Sequence, residues 1–237
     1  MPFFTREDAT LYYEVQGSGY PVLLLAPGGM QSAIPLWSRA PWNPVELLAH
    51  RYQVILMDQR NAGRSTGSVR VGDGWHTYLE DQRSLLDHLG IARCHVGGMC
   101  IGGAFALALA TLEPSRVSAA LLMQPIGLDD NRQAFYDMYD AWADTLRPQR
   151  PDVEADAWPA MRAALYDRDF VFSIDRDRVR ECKSPLLVLA GRDLYHPHSI
   201  SREITTIAPA ASLIDEWKPP ETHAAAKAAV LQFLAAQ

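Results

Sequence analysis

Cys100 lies in the run Gly98-Met99-Cys100-Ile101-Gly102-Gly103. A short apolar stretch over 94–97 precedes it, and a helix-like stretch over 104–112 follows. This is a small-x-nucleophile-x-small pattern at a strand-to-helix turn. Gly98 and Gly102 carry no Cβ, so the backbone can turn sharply there. A thiolate in that place can attack an acyl carbon and leave a thioester on the chain. The positive end of the following helix and a protonated imidazole would both depress the thiol pKa. The plainer reading is a buried cysteine that acts as a small hydrophobe.

Two further residues supply the partners that a thiol needs. Asp193 ends the run Gly191-Arg192-Asp193, after a strand-like stretch over 186–190. His223 opens an alanine-rich helical stretch, after a strand-like stretch over 212–217. The order nucleophile, acid, histidine is the one that accompanies such a turn. His223 is therefore expected to be the base, and Asp193 the group that orients it. Asp129 is the rival acid. His196 and His198 are the rival bases; their place beside Asp193 in the chain suits them less as partners across a site. The oxyanion would be held by the backbone N–H of Ile101 and by that of Gly29 or Met30. Arg60, Asn61 and Arg64 are expected to hold their own loop together by hydrogen bonds.

Other motifs are incomplete. Pro27-Gly28-Gly29 lacks the Lys-Ser/Thr ending of a phosphate-binding loop. The glycines from 97 to 103 lack the acidic residue about twenty positions on that a dinucleotide fingerprint requires. Cys94, Cys100 and Cys182 are not in metal-ligand spacing. No cofactor and no metal are expected.

The elements that must position these residues alternate. Apolar runs over 22–26, 53–57, 94–97, 117–123 and 186–190 read as strands buried on both faces. Helical spacing over 77–89, ended by Gly90, and further helical stretches lie between them. The expectation is an α/β fold: a mostly parallel sheet flanked by helices, with ligands at the carboxyl edge of the strands. Residues 129–180 break the alternation with mixed aromatics and prolines, and are expected to form a small helical lid. The core then comprises 1–128 and 181–237.

The chain has 237 residues, 48% of them hydrophobic and 21% charged, with a net charge of -6. That fits one globular domain with a modest insertion. There is no basic block, which argues against nucleic acid and anionic membrane surfaces. No signal segment or membrane-spanning run is visible, and free thiols suit a reducing compartment, so a cytoplasmic location is expected. The composition does not give the oligomeric state.

The sequence resembles the α/β-hydrolase superfamily over essentially its whole length. The matching pieces are Leu25-Ala26-Pro27-Gly28-Gly29, the run Met57 to Ser65, the turn at Cys100, Leu189-Ala190-Gly191-Arg192-Asp193, and Thr222-His223. The segment Asp58-Gln59-Arg60-Asn61-Ala62-Gly63-Arg64-Ser65 looks like the lidded, esterase-like branch. Cysteine at the turn looks like the dienelactone hydrolase group. Pro27 and Thr222 depart from the His and Gly often found at those places.

Sulfur is both a good nucleophile and a good leaving group, so amines compete poorly with it in a tetrahedral adduct. The expected chemistry is cleavage of a small-molecule ester, lactone or thioester through an acyl-cysteine. Two alternatives stay open: acyl transfer from the same intermediate, and small-molecule binding without turnover on the same fold.

Overall fold

The computed structural model describes residues 2–237. In chain order the strands and helices are β1 (Phe3–Arg6), β2 (Ala9–Gln16), β3 (Tyr20–Leu25), α1 (Pro44–Ala49), β4 (Tyr52–Met57), α2 (Trp75–His88), β5 (Cys94–Cys100), α3 (Ile101–Leu112) and β6 (Val117–Pro125). They continue with α4 (Arg132–Leu146), α5 (Ala157–Tyr166), α6 (Arg176–Arg180), β7 (Leu186–Leu189), α7 (His198–Ile207), β8 (Ala211–Ile214) and α8 (His223–Ala235).

The strands form one eight-stranded sheet in the order β1-β2-β4-β3-β5-β6-β7-β8. β1 pairs antiparallel with β2, and β2 with β4; every other pairing is parallel. Parallel neighbours need crossovers, and the intervening helices supply them. The apolar strands carry side chains alternately to the two faces. Leu23, Ile55, Val96, Leu122 and Val188 pack into one core layer. Val22, Leu24, Leu56, Leu121 and Leu187 pack into the other. An unbroken apolar run is therefore what a central strand requires.

Two element ends differ from the sequence expectation for identifiable reasons. α2 begins at Trp75, two residues before the periodic run, because Thr77 Oγ1 accepts a hydrogen bond from Gly74 N at 3.1 Å and caps the earlier turn. Its other end behaves as expected: Gly90 takes φ +68°, and Ile91 N returns to Leu86 O at 2.8 Å. β8 stops at Ile214 rather than continuing to Trp217, whose indole N–H instead donates to Ala190 O at 2.8 Å. Residues 129–180 hold α4, α5 and α6, between β6 and β7. No helix among the described residues is long and apolar enough to cross a membrane.

Candidate active site

β5 runs straight into α3 at Cys100, which takes φ 62° and ψ -122°. A non-glycine residue at positive φ is strained, and such strain persists only where the surroundings enforce it. Here the enforcing contacts are glycines. A Cβ on Gly98 would lie 2.0 Å from Gly102 O, and one on Gly102 would lie 1.9 Å from Leu25 O. The turn is thus packed backbone against backbone, and it presents the Cys100 side chain at the carboxyl edge of the sheet.

The loop after β7 supplies the partners. Asp193 N donates to His196 O at 3.2 Å, and His196 N returns to Asp193 O at 3.1 Å. These reciprocal bonds fold residues 193–196 back on themselves. Asp193 Oδ1 accepts from Tyr195 N and His196 N, each at 3.2 Å, and pairs with His196 Nδ1 at 2.6 Å. Its other oxygen faces Lys218 Nζ at 3.4 Å. Asn131 Nδ2 anchors the loop through Leu194 O at 2.6 Å. Asp193 thus fixes the proton on Nδ1 of the imidazole and leaves Nε2 for other work. His196 Nε2 is sealed from solvent with no regular hydrogen-bond partner among the described residues, and the ring lines the same cavity as Cys100 and acts on its thiol.

The electrostatics follow from that contact. Burial acts to raise the Cys100 thiol pKa, but the neighbouring His196 imidazole, with the backbone of Gly28 and Ile101, leaves it lowered. Burial acts to lower the His196 pKa, yet Asp193 and then Cys100 raise it to about 9. The Asp193 carboxyl, bonded to His196 and near Lys218, falls to about 2. Both directions favour the charged pair, a thiolate beside an imidazolium, over the neutral one.

That pair sets a pH dependence. Alkylation of Cys100 by iodoacetamide is expected to hold a plateau below the ordinary thiol pKa and to fall only on further acidification. His196→Ala should move this titration upward, because burial then acts on the thiol without its main opposing group. The same groups link folding to pH. The His196 contribution is fully present below its ordinary value of 6.5 and is lost as pH rises through about 9. The Asp193 contribution is present above 3.8 and is lost as pH falls through about 2.

Of the residues singled out in the sequence, Cys100, Asp193 and Ile101 meet at this site, and Gly29 lines the same cavity. Met30 lies in the 3-10 turn that follows Gly28, buried, with its sulfur toward Tyr166. His223 is not brought to Cys100. Its Nε2 lies 2.8 Å from Lys218 O at the start of α8, and the imidazole beside the thiol is that of His196. Adjacency in the chain argued against His196, but the folded-back loop turns that adjacency into the hydrogen bond itself. A signal was present: Asp-x-x-His directly after a strand allows the carboxylate to bond the ring within one turn. Asp129 accepts from Ser199 Oγ at 2.7 Å and takes no part in the relay. His198 pairs with Asp215 at 2.6 Å.

Arg60, Asn61 and Arg64 make structural contacts. Arg60 clasps buried Asp81 through Nε at 2.9 Å and Nη2 at 2.8 Å. Asn61 Oδ1 accepts from Gly67 N at 2.9 Å, and Arg64 stacks 3.8 Å over the Tyr12 ring. Asp58 adds to the same loop by accepting from Ile34 N at 2.7 Å and Arg64 N at 2.9 Å.

The cavity beside Cys100 has a volume of about 200 Å³. Ile126, Phe135, Met138, Tyr166 and Tyr195 wall it beside Cys100 and His196, and among the described residues no Asp, Glu, Lys or Arg lines it. A wider groove of about 620 Å³ shares Gly28, Met138 and Tyr195 with it and runs along α4 past Trp142 and Thr145.

The alpha/beta hydrolase fold family matches residues 21–209. The chain belongs to this family. A putative carbamate hydrolase RutD of Azorhizobium caulinodans is 36% identical over 126 residues, 52% of this chain and 44% of that protein. A match of similar extent, 32% identical, covers 49% of this chain and 40% of a 2-hydroxy-6-oxononadienedioate/2-hydroxy-6-oxononatrienedioate hydrolase of Dechloromonas aromatica. The chain thus spans less than half the length of these two relatives. Among solved alpha/beta hydrolase structures, the enol-lactonase of Burkholderia xenovorans LB400 superposes with a TM-score of 0.69 at 21% identity, covering 99% of this chain and 100% of that one. At that identity the likeness concerns the fold.

Proposed function

We propose that this alpha/beta hydrolase cleaves small-molecule esters, lactones or thioesters through an acyl-cysteine, with Cys100 as nucleophile, His196 as acid and base, and Asp193 as the group that orients His196. One observation carries the reading: a strained, positive-φ cysteine faces an imidazole whose far nitrogen is fixed by a carboxylate at 2.6 Å.

The Cys100 thiolate attacks the acyl carbon, and the carbonyl electron pair moves onto oxygen. The Ile101 N–H and an N–H of the Gly28-Gly29 loop receive that oxyanion. The adduct collapses, the bond to the leaving group breaks, and His196 Nε2–H protonates the departing atom. Water then attacks the thioester with neutral His196 taking its proton, and the thiolate is expelled. The curated relatives are named for hydrolysis of carbamates and of oxo-dienoates, which supports hydrolysis as the reaction class. The uncharged walls of the 200 Å³ cavity favour a compact, neutral acyl group, such as acetyl to benzoyl. Phe135, Met138 and Tyr166, from the helices between β6 and β7, act as its lid.

Acyl transfer is the second reading. It is favoured by the adjoining groove, which is large enough to hold an acceptor alongside an occupied cavity. Brief exposure to 4-nitrophenyl acetate followed by intact-mass and peptide analysis tests the proposal. The expected result is one acetyl group on the Cys100 peptide, removable by hydroxylamine. Acetylation elsewhere with full turnover sinks it. Product ratios with an added alcohol or thiol then separate hydrolysis from transfer.

A further inference from the structure

Tyr166 ends α5 with its side chain wholly buried and lines the same cavity as Cys100. Its ring is clamped on several sides. Phe135 stacks against it at 5.3 Å between centroids, and Phe172 meets it edge-on at 5.4 Å. The backbone below it is also tied down: Trp75 Nε1 donates to Leu165 O at 2.7 Å, and Arg132 donates to Tyr166 O. A rigid ring of this kind aims its hydroxyl.

The hydroxyl has a poor partner. Among the described residues it donates only to the thioether of Met30, at 3.4 Å. Thioether sulfur is a weak acceptor, and buried phenols ordinarily find an oxygen or nitrogen. Met30 belongs to the turn that follows Gly28 and Gly29, the loop whose backbone faces the reacting sulfur. The donor is therefore held beside the place where negative charge develops, on a bond that costs little to give up. Burial, with Tyr78, Cys100 and Tyr139 nearby, holds the phenol proton far above its ordinary range, so the group donates without ionising.

We infer that the Tyr166 hydroxyl leaves Met30 when an acyl substrate is bound and donates a third hydrogen bond to the carbonyl oxygen, beside the Ile101 and Gly28-Gly29 backbone N–H groups. No proton is transferred. The bond strengthens as the carbonyl becomes an oxyanion and relaxes when the adduct collapses. This assignment rests on Cys100 acyl chemistry, but it concerns a different group on a different element.

The test compares wild type with Tyr166→Phe on a matched pair of substrates, an aryl benzoate and its thionobenzoate, whose C=S accepts hydrogen bonds poorly. With the oxygen ester the variant is expected to lose about 10²-fold in kcat, with KM little changed and the thermal midpoint retained. With the thiono ester the loss is expected to shrink to a few-fold. A structural role would slow both substrates alike, so equal losses overturn the inference, as does no loss on the oxygen ester. Binding of benzamide, a neutral carbonyl ligand suited to the uncharged cavity, needs no nucleophile and supplies the same comparison where turnover is absent. Its Kd is expected to rise about tenfold in Tyr166→Phe, and an unchanged Kd overturns the inference. Failure of the cysteine reading looks different: ester turnover persists in wild type without acylation of Cys100, while the oxygen-to-sulfur comparison still reads Tyr166.

Discussion

His196→Ala is expected to lower kcat/KM for ester cleavage by about 10³-fold or more, whereas His223→Ala should cost less than about tenfold. The difference follows from where the two rings stand. His196 joins Asp193 through Nδ1 at 2.6 Å, and its ring shares the cavity of the Cys100 thiol. Its removal takes away the thiolate's counter-ion, the proton for the leaving group and the base for deacylation together. Among the described residues, His223 pairs through Nε2 with the carbonyl of Lys218, at 2.8 Å. Its removal can loosen Lys218, whose ammonium lies 3.4 Å from Asp193, so the expected effect is indirect and small. Steady-state kinetics on both variants, with circular dichroism to show that each is folded, decide the matter. Equal losses, or a larger loss for His223→Ala, would remove His196 from the mechanism.

Gly102→Ala is expected to destabilise the fold by about 3 kcal/mol or more, near or beyond the upper end of overpacking costs. For a chain of this size that is a drop of roughly 6–12 °C in Tm. The added methyl would sit 1.9 Å from Leu25 O, 2.7 Å from Leu25 C and 3.0 Å from Ala26 O. All three are backbone atoms at the end of a central strand, so no side chain can swing aside. Relief requires separating α3 from β3, and this displaces the Pro27-Gly28-Gly29 loop as well. Activity is therefore expected to fall along with stability. Gly90→Ala is the comparison: it meets nothing within 4 Å and carries only the strain of φ +68°, worth about 1–2 kcal/mol. Thermal melts of the two variants that coincide would mean the elbow can relax after all.

Much of the architecture is legible in the sequence because it depends on period and punctuation. Five apolar runs became parallel strands since only strands buried on both faces tolerate such runs, as Val22 to Leu25 show by filling both core layers alternately. The turn at Cys100 is legible because its glycines are dictated by backbone clearance. The proposed acid is legible for a similar reason, since Asp193 starts a turn just after β7 ends. The base is not. Chain order favours the histidine after the last strand, and what selects His196 is the hydrogen bonding of a four-residue loop, which no periodicity records. Tyr166 is likewise one aromatic among many in 129–180. Its role depends on what lies opposite its hydroxyl, and Met30 is 136 positions away in the chain.

With Asp193 and His196 three positions apart on one loop, the three proposed reacting side chains all precede β8 and α8. Those last elements then act as bracing: Trp217 ties to Ala190 O at 2.8 Å, and Lys218 reaches back to Asp193 at 3.4 Å. Because acid and base ride on the same loop, fraying at the C-terminal edge of the sheet shifts both together and leaves their mutual alignment intact. The proposed acid–base pairing thus depends on its own loop rather than on the pairing of β8 at the edge of the sheet.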